Sequence, residues 1–154
     1  MFNDQLLVTG LKEKSIDKVK KAITLGVDIN NCLVESRDGP RRPVAYAAYK
    51  GLTNILQVLL NNGGDVNQLD FYGGTALHDA IWANRLTYVL VLCEAGANVN
   101  SPDVFGRSPL SLAMTRNSPR SFRILQAFGA KFVPLEVLIL LMGSDPSERE
   151  YKFN

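Results

Sequence analysis

Histidine and tryptophan occur once each in these 154 residues and cysteine occurs twice. Each scarcity removes a class of function. Cys32 and Cys93 stand far apart with no paired spacing for zinc, and two cysteines are too few for a disulfide framework, which points to a reducing compartment. No cluster of histidine, cysteine and carboxylate residues has metal-ligand spacing, so neither metal nor cofactor is expected. The longest apolar run, "VLILLM" at Val137 to Met142, is far shorter than the ~20 residues a helix needs to cross a bilayer. Seventeen lysines and arginines against 15 aspartates and glutamates leave a formal charge of +2, which makes no bulk case for nucleic acid or an anionic membrane. The start, "MFNDQLLVTGLKEK", lacks the basic and apolar regions of a secretory signal, and no glycosylation acceptor occurs, so a cytoplasmic chain with access to the nucleus is expected.

What the sequence does have is a period. "GGDVN" (Gly63 to Asn67) returns as "GANVN" (Gly96 to Asn100) and again as "GAKFV" (Gly129 to Val133), 33 residues apart each time. Asp70 keeps step with Asp103, Gly73 with Gly106, Thr75 with Ser108, Leu77 with Leu110, and Ala80 with Ala113. "GVDIN" at Gly26 to Asn30 is the same unit displaced by 37 residues, so four extra residues precede "PVAYAAYKG". Thr75 and Ser108 are suited to cap helices, and Pro43 and Pro109 sit where a missing amide hydrogen costs nothing. Ala47, Ala48, Ala80 and Ala113 allow close helix approach. "ILQVLL" and "YVLVLC" carry apolar residues at helical spacing, and Gly63, Gly96 and Gly129 suit left-handed helix ends. Such units bury their apolar faces only against their neighbours.

"YGGTALHDAIWANRLTYVLVLCEAGANVN" carries nearly the whole pattern of the ankyrin repeat, and residues 5 to 131 resemble that family. The resemblance implies an all-α solenoid of about four helix-turn-helix repeats with β-turn fingers, in repeats at about 1–33, 34–69, 70–102 and 103–132. A C-terminal capping helix at 133–143 and a polar tail at 144–154 complete the expected single domain of 1–143. His78 matches the histidine that bridges neighbouring turns in the family, so its role is expected to be architectural. The equivalent positions, Ala45 and Ser111, offer no catalytic partner. Asp79 and Trp82 are expected on the exposed side of the same helix. Asn67 and Asn100, with Leu59 and Leu92 eight residues before them, resemble the pattern recognised by asparaginyl hydroxylases, although turn stabilisation alone explains these asparagines.

Two stretches depart from the pattern. "NCLVESRDGPRR", Asn31 to Arg42, lengthens the first finger and adds three arginines. "PLEVLILLMG", Pro134 to Gly143, is apolar nearly all round, which implies burial, most simply as the cap. The chain is expected to be a monomer, with this segment the place where self-association or docking of another chain would occur.

The family's concave face, carried over residue by residue, gives Arg41, Tyr49 and Lys50 in the second repeat. The third repeat contributes Phe71, Tyr72, Asp79 and Trp82, and the fourth Phe105, Arg107 and Arg116. Tyr49 and Trp82 are one repeat apart at equivalent positions, so stacking sets them side by side. The expected function is non-catalytic protein binding through this face, in the manner of small ankyrin regulators that occlude a partner, with the basic residues favouring acidic flanks on it. The alternative is a substrate-recognition adaptor in a ubiquitin ligase complex, although the C-terminal segment lacks the cysteine and arginines of a box that recruits elongin.

Overall fold

The computed structural model describes residues 2–131, so the expected cap at 133–143 and tail at 144–154 lie outside the described residues. Among the described residues the chain forms eight helices and a single isolated antiparallel bridge, Val34 to Arg41. The helices come in pairs: α1 (Phe2–Lys12) with α2 (Ile16–Thr24), α3 (Pro43–Lys50) with α4 (Thr53–Asn61), α5 (Ala76–Trp82) with α6 (Leu86–Glu94), and α7 (Pro109–Thr115) with α8 (Pro119–Ala127). The first helices stack in the order α1, α3, α5, α7, while α2 meets α4 and α6 meets α8. This is the expected all-α stack.

Local chemistry sets the helix ends. Pro43 and Pro109 occupy the first helical position, and the Ser108 hydroxyl accepts a hydrogen bond from the Ser111 amide at 3.2 Å. Thr75 works differently: its amide donates to Nδ1 of His78 at 3.1 Å, and its hydroxyl lies 3.0 Å from the same nitrogen. Each pair turns from first to second helix through one left-handed residue, at Lys14, Gly51, Asn84 and Asn117, and three of these four also follow the 33-residue period. Asparagine and glycine tolerate that conformation best, whereas Lys14 adopts it against preference.

The four alanines expected at close helix contacts are fully buried, as are Leu56, Leu59, Val89 and Leu92 of the second helices. Gly73 is required twice over. Its φ is +65°, and a Cβ there would lie 3.1 Å from Cγ1 of Val104 and 3.2 Å from its amide in the next finger, where the Val104 amide donates to the Tyr72 carbonyl.

Polar groups tie each unit to the next at a constant position. The Asn30 side chain donates to the Gly63 carbonyl at 3.0 Å and accepts from the Asp65 amide at 2.8 Å. Asn67 makes the same two bonds to Gly96 and Asn98, and Asn100 to Gly129 and Lys131. Turn stabilisation across the repeat junction therefore accounts for these asparagines. His78 adds a second tie between the third and fourth units, with Nε2 lying 3.1 Å from the Arg107 carbonyl. Because Nδ1 accepts from the Thr75 amide, Nε2 carries the proton and donates. Burial depresses the pKa of the imidazole below its usual value and keeps it neutral, with the Arg107 carbonyl bond opposing in part.

Replacing His78 by alanine strands the Thr75 amide and the Arg107 carbonyl in a buried setting, and should lower stability by about 1 to 3 kcal/mol. Urea denaturation of the two proteins measures this, and an unchanged midpoint would contradict the architectural role.

Candidate partner-binding groove

The fingers and first helices enclose a groove of about 430 Å³. Seven of the ten residues expected on the concave face line it: Arg41, Tyr49, Tyr72, Asp79, Trp82, Phe105 and Arg107. Phe71, Lys50 and Arg116 do not, but each touches a residue that does. Phe71 is 86% exposed and meets Tyr72 edge to face, with ring centres 5.5 Å apart. The Lys50 ammonium lies 5.3 Å from the Tyr49 ring, and the Arg116 guanidinium 4.5 Å from the Trp82 ring.

The fingers of the third and fourth units share one internal construction. Asp70 Oδ1 accepts the amides of Tyr72 and Gly74, and Asp103 Oδ1 accepts the equivalent amides of Phe105 and Arg107. This frame turns Tyr72 and Phe105 onto the same side, where their rings stack at 6.4 Å. Both remain substantially exposed, as does Trp82, so three large apolar surfaces border one groove. Phe105 also receives the Arg107 guanidinium at 4.8 Å.

Two expectations need correction. Asp79 and Arg41, placed on the exposed surface from the sequence, are both largely buried, with side chains 12% and 9% accessible. The lengthened first finger is the cause. Its residues fold back through the Val34 to Arg41 bridge, closed by the bond from the Gly39 amide to the Ser36 carbonyl, which swings Arg41 inward. Nε of Arg41 reaches Oδ1 of Asp79 at 3.0 Å, Nη1 reaches Ser36 Oγ at 2.7 Å, and the guanidinium covers the Tyr49 ring at 3.9 Å. The Tyr49 hydroxyl in turn donates to Asp38 at 2.6 Å. Arg41 is therefore a structural cation that clamps the long finger onto α3 and α5. The sequence signal available for this was the cluster of three arginines in the added segment; the acidic residue that one of them meets lies 38 positions away.

Burial pushes the Asp79 carboxyl up to about 6, although Arg41 pulls it down, and Oδ2 is a buried acceptor without a hydrogen-bond partner among the described residues. Sequence reasoning also missed Asp38, Asp70 and Asp103, which line the same groove and bring its carboxylates to four. Burial raises both cysteine thiols to about 11, so neither has the character of a nucleophile. Among the described residues no group of side chains is arranged to hold a metal ion, and no helix is long and apolar enough to cross a membrane.

Arg41→Ala leaves Asp79 as an unpaired buried charge and should cost about 3 kcal/mol or more, whereas the double variant Arg41→Met with Asp79→Leu should recover most of the loss. Thermal or urea unfolding of the three proteins checks this. A double variant no more stable than Arg41→Ala would show that packing of the finger, and not the charge, is what was lost.

Asp79 also fixes a sign for pH. Its carboxyl titrates near 6 when folded and near 4 when unfolded, so folding takes up a proton between those values. Relative to Asp79→Asn, the wild-type chain should gain stability as pH falls through about 6 toward 4, and lose that gain as pH rises again. Urea midpoints of both proteins across that window are the measurement.

A family model described as ankyrin repeats (3 copies) matches residues 7–103. A putative ankyrin repeat protein of Fowlpox virus is 33% identical over 116 residues, which is 75% of this chain and 33% of the viral protein. An E3 ubiquitin-protein ligase of Arabidopsis thaliana is 33% identical over 115 residues, covering 73% of this chain and 22% of the ligase. The RelA-associated inhibitor of Mus musculus is 38% identical over 84 residues, covering 54% of this chain and 10% of that protein. The chain thus spans a third or less of the length of these relatives. The matched repeats, the left-handed turns at a constant period and the junction asparagines all agree: the chain belongs to the ankyrin-repeat family.

Proposed function

We propose that this chain is a non-catalytic protein-binding module that holds a segment of a partner protein in the concave groove, and that it acts as a regulator by occluding that segment. The observation that carries the reading is the set of exposed rings, Tyr72, Trp82 and Phe105, gathered on one groove. Soluble surfaces seldom concentrate aromatics in one place without a binding role, and such residues supply much of the energy of protein interfaces. Ankyrin repeats are protein-interaction modules, and one relative is named as an inhibitor. The groove offers no nucleophile beside a base, and His78 is committed to the stack at both ring nitrogens. The proposed setting is the cytoplasm or nucleus, with the chain acting as a monomer.

An adaptor that presents substrates to a ubiquitin ligase is the second reading, favoured by the ligase among the relatives. The two differ in what co-purifies: a ligase complex in the adaptor case, and the occluded target alone in the other.

Trp82→Ala and Tyr72→Ala should each retain partner proteins from native lysate at least tenfold more weakly than the wild-type chain, with the helical circular dichroism spectrum unchanged. Equal retention by both variants would remove the concave groove as the binding site.

A further inference from the structure

The third and fourth fingers share one backbone construction, but their last residues differ in charge. In the fourth, the Asp103 carboxylate is completed by Arg107 of the same finger, whose Nε and Nη2 approach Oδ2 at 2.8 and 2.7 Å. In the third, Asp70 receives the same pair of backbone amides on Oδ1, but the position equivalent to Arg107 is Gly74. Gly74 carries no side chain that could supply the equivalent cation, and both it and Asp70 line the groove, so the Asp70 carboxylate faces the groove without a guanidinium from its own finger.

The charged groups of the lining leave it net negative. The two guanidinium groups that line the groove are committed, Arg41 to Asp79 and Arg107 to Asp103. Among the described residues Asp38 and Asp70 have no ion-pair partner, which leaves the lining with two negative charges in excess. Nearby, Asp79 Oδ2 is a buried acceptor with no donor among the described residues. The exposed cations, Lys50 and Arg116, lie on the Tyr49 and Trp82 rings, beside the groove and not in its lining. Of the basic residues expected to favour acidic flanks on a partner, only Lys50 and Arg116 are without an ion-pair partner among the described residues, and both lie outside the lining.

We propose that the partner supplies in trans the arginine that the third finger lacks: its guanidinium lies on Asp70, which faces the groove, with its stem against Tyr72 and Trp82. This rests on the concave-groove reading and specifies its chemistry. Arginine is favoured over lysine because its planar fork matches a carboxylate through two bonds and stacks on aromatic rings, as Arg107 does on Asp103 and Phe105 in the neighbouring finger. Acidic residues on the partner would then fall outside the groove, toward Lys50 and Arg116.

The test is selection of a phage-displayed random nonapeptide library on the immobilised full chain, followed by fluorescence anisotropy of synthetic peptides at fixed ionic strength. The selected sequences should share one arginine, and its replacement by alanine should weaken binding at least tenfold, by lysine less. Asp70→Asn keeps an acceptor for the two finger amides and should weaken the peptide about tenfold. Gly74→Arg places a guanidinium in cis, as in the fourth finger, and should weaken it at least as much. Circular dichroism confirms that both variants fold. Peptides without a shared arginine, an empty selection, or unchanged binding by both Asp70→Asn and Gly74→Arg would each overturn the proposal. The broader reading fails separately: peptides insensitive to Trp82→Ala and Tyr72→Ala would remove the groove itself, whereas dependence on those rings without dependence on Asp70 would remove only the arginine.

Discussion

Helices of seven and nine residues, such as α5 and α6, cannot enclose a core between them. They bury Leu77, Ile81, Val89 and Leu92 only by lying against the pairs on either side, with α5 between α3 and α7 and α6 against α8. Apolar contact of this kind has no strong direction, so it fixes that the pairs stack without fixing how. Register comes from the polar ties. Asn30, Asn67 and Asn100 each span one junction with a donor and an acceptor, and His78 adds a second tie across the last of these junctions. Hydrogen bonds require defined distance and angle, so these few groups hold the fingers at a fixed spacing. The groove exists because that spacing is kept.

How far the sequence reveals this depends on whether a contact repeats. The alanine contacts, the glycine helix ends and the histidine bridge recur or occupy a family position, and all are found where the period puts them. Eight of the ten expected site residues line the groove or sit beside it at least partly exposed. Arg41 and Asp79 are largely buried instead, because their meeting depends on the one segment that breaks the period. A hairpin of non-repeating length has no counterpart in the chain from which its course could be read. Asp38, Asp70 and Asp103 were hidden for another reason: aspartate in a finger reads as a turn residue, and only the geometry shows that it also faces a shared space.

The buried pair illustrates a balance between specificity and stability. An ion pair out of water gains little over well-packed apolar groups, and the raised pKa of Asp79 registers that strain. What the pair does is tie the long finger to α5 across the intervening α3, while Tyr49 and Asp38 secure its tip. The aromatic side of the groove can then remain open, because one of its walls is held by contacts made within the chain.

That wall has a consequence for recognition. A surface generated by translation offers an extended ligand several nearly equal ways to lie on it, each shifted by one unit, and binding spread over such states is poorly defined in position. The hairpin from Val34 to Arg41 occurs in only one unit among the described residues, and Gly74 and Arg107 make the next two fingers unlike each other. Translational symmetry is thereby broken at the long finger and at the fingers of the third and fourth units, so an extended chain laid across them meets a single frame in which all of its side chains find their places.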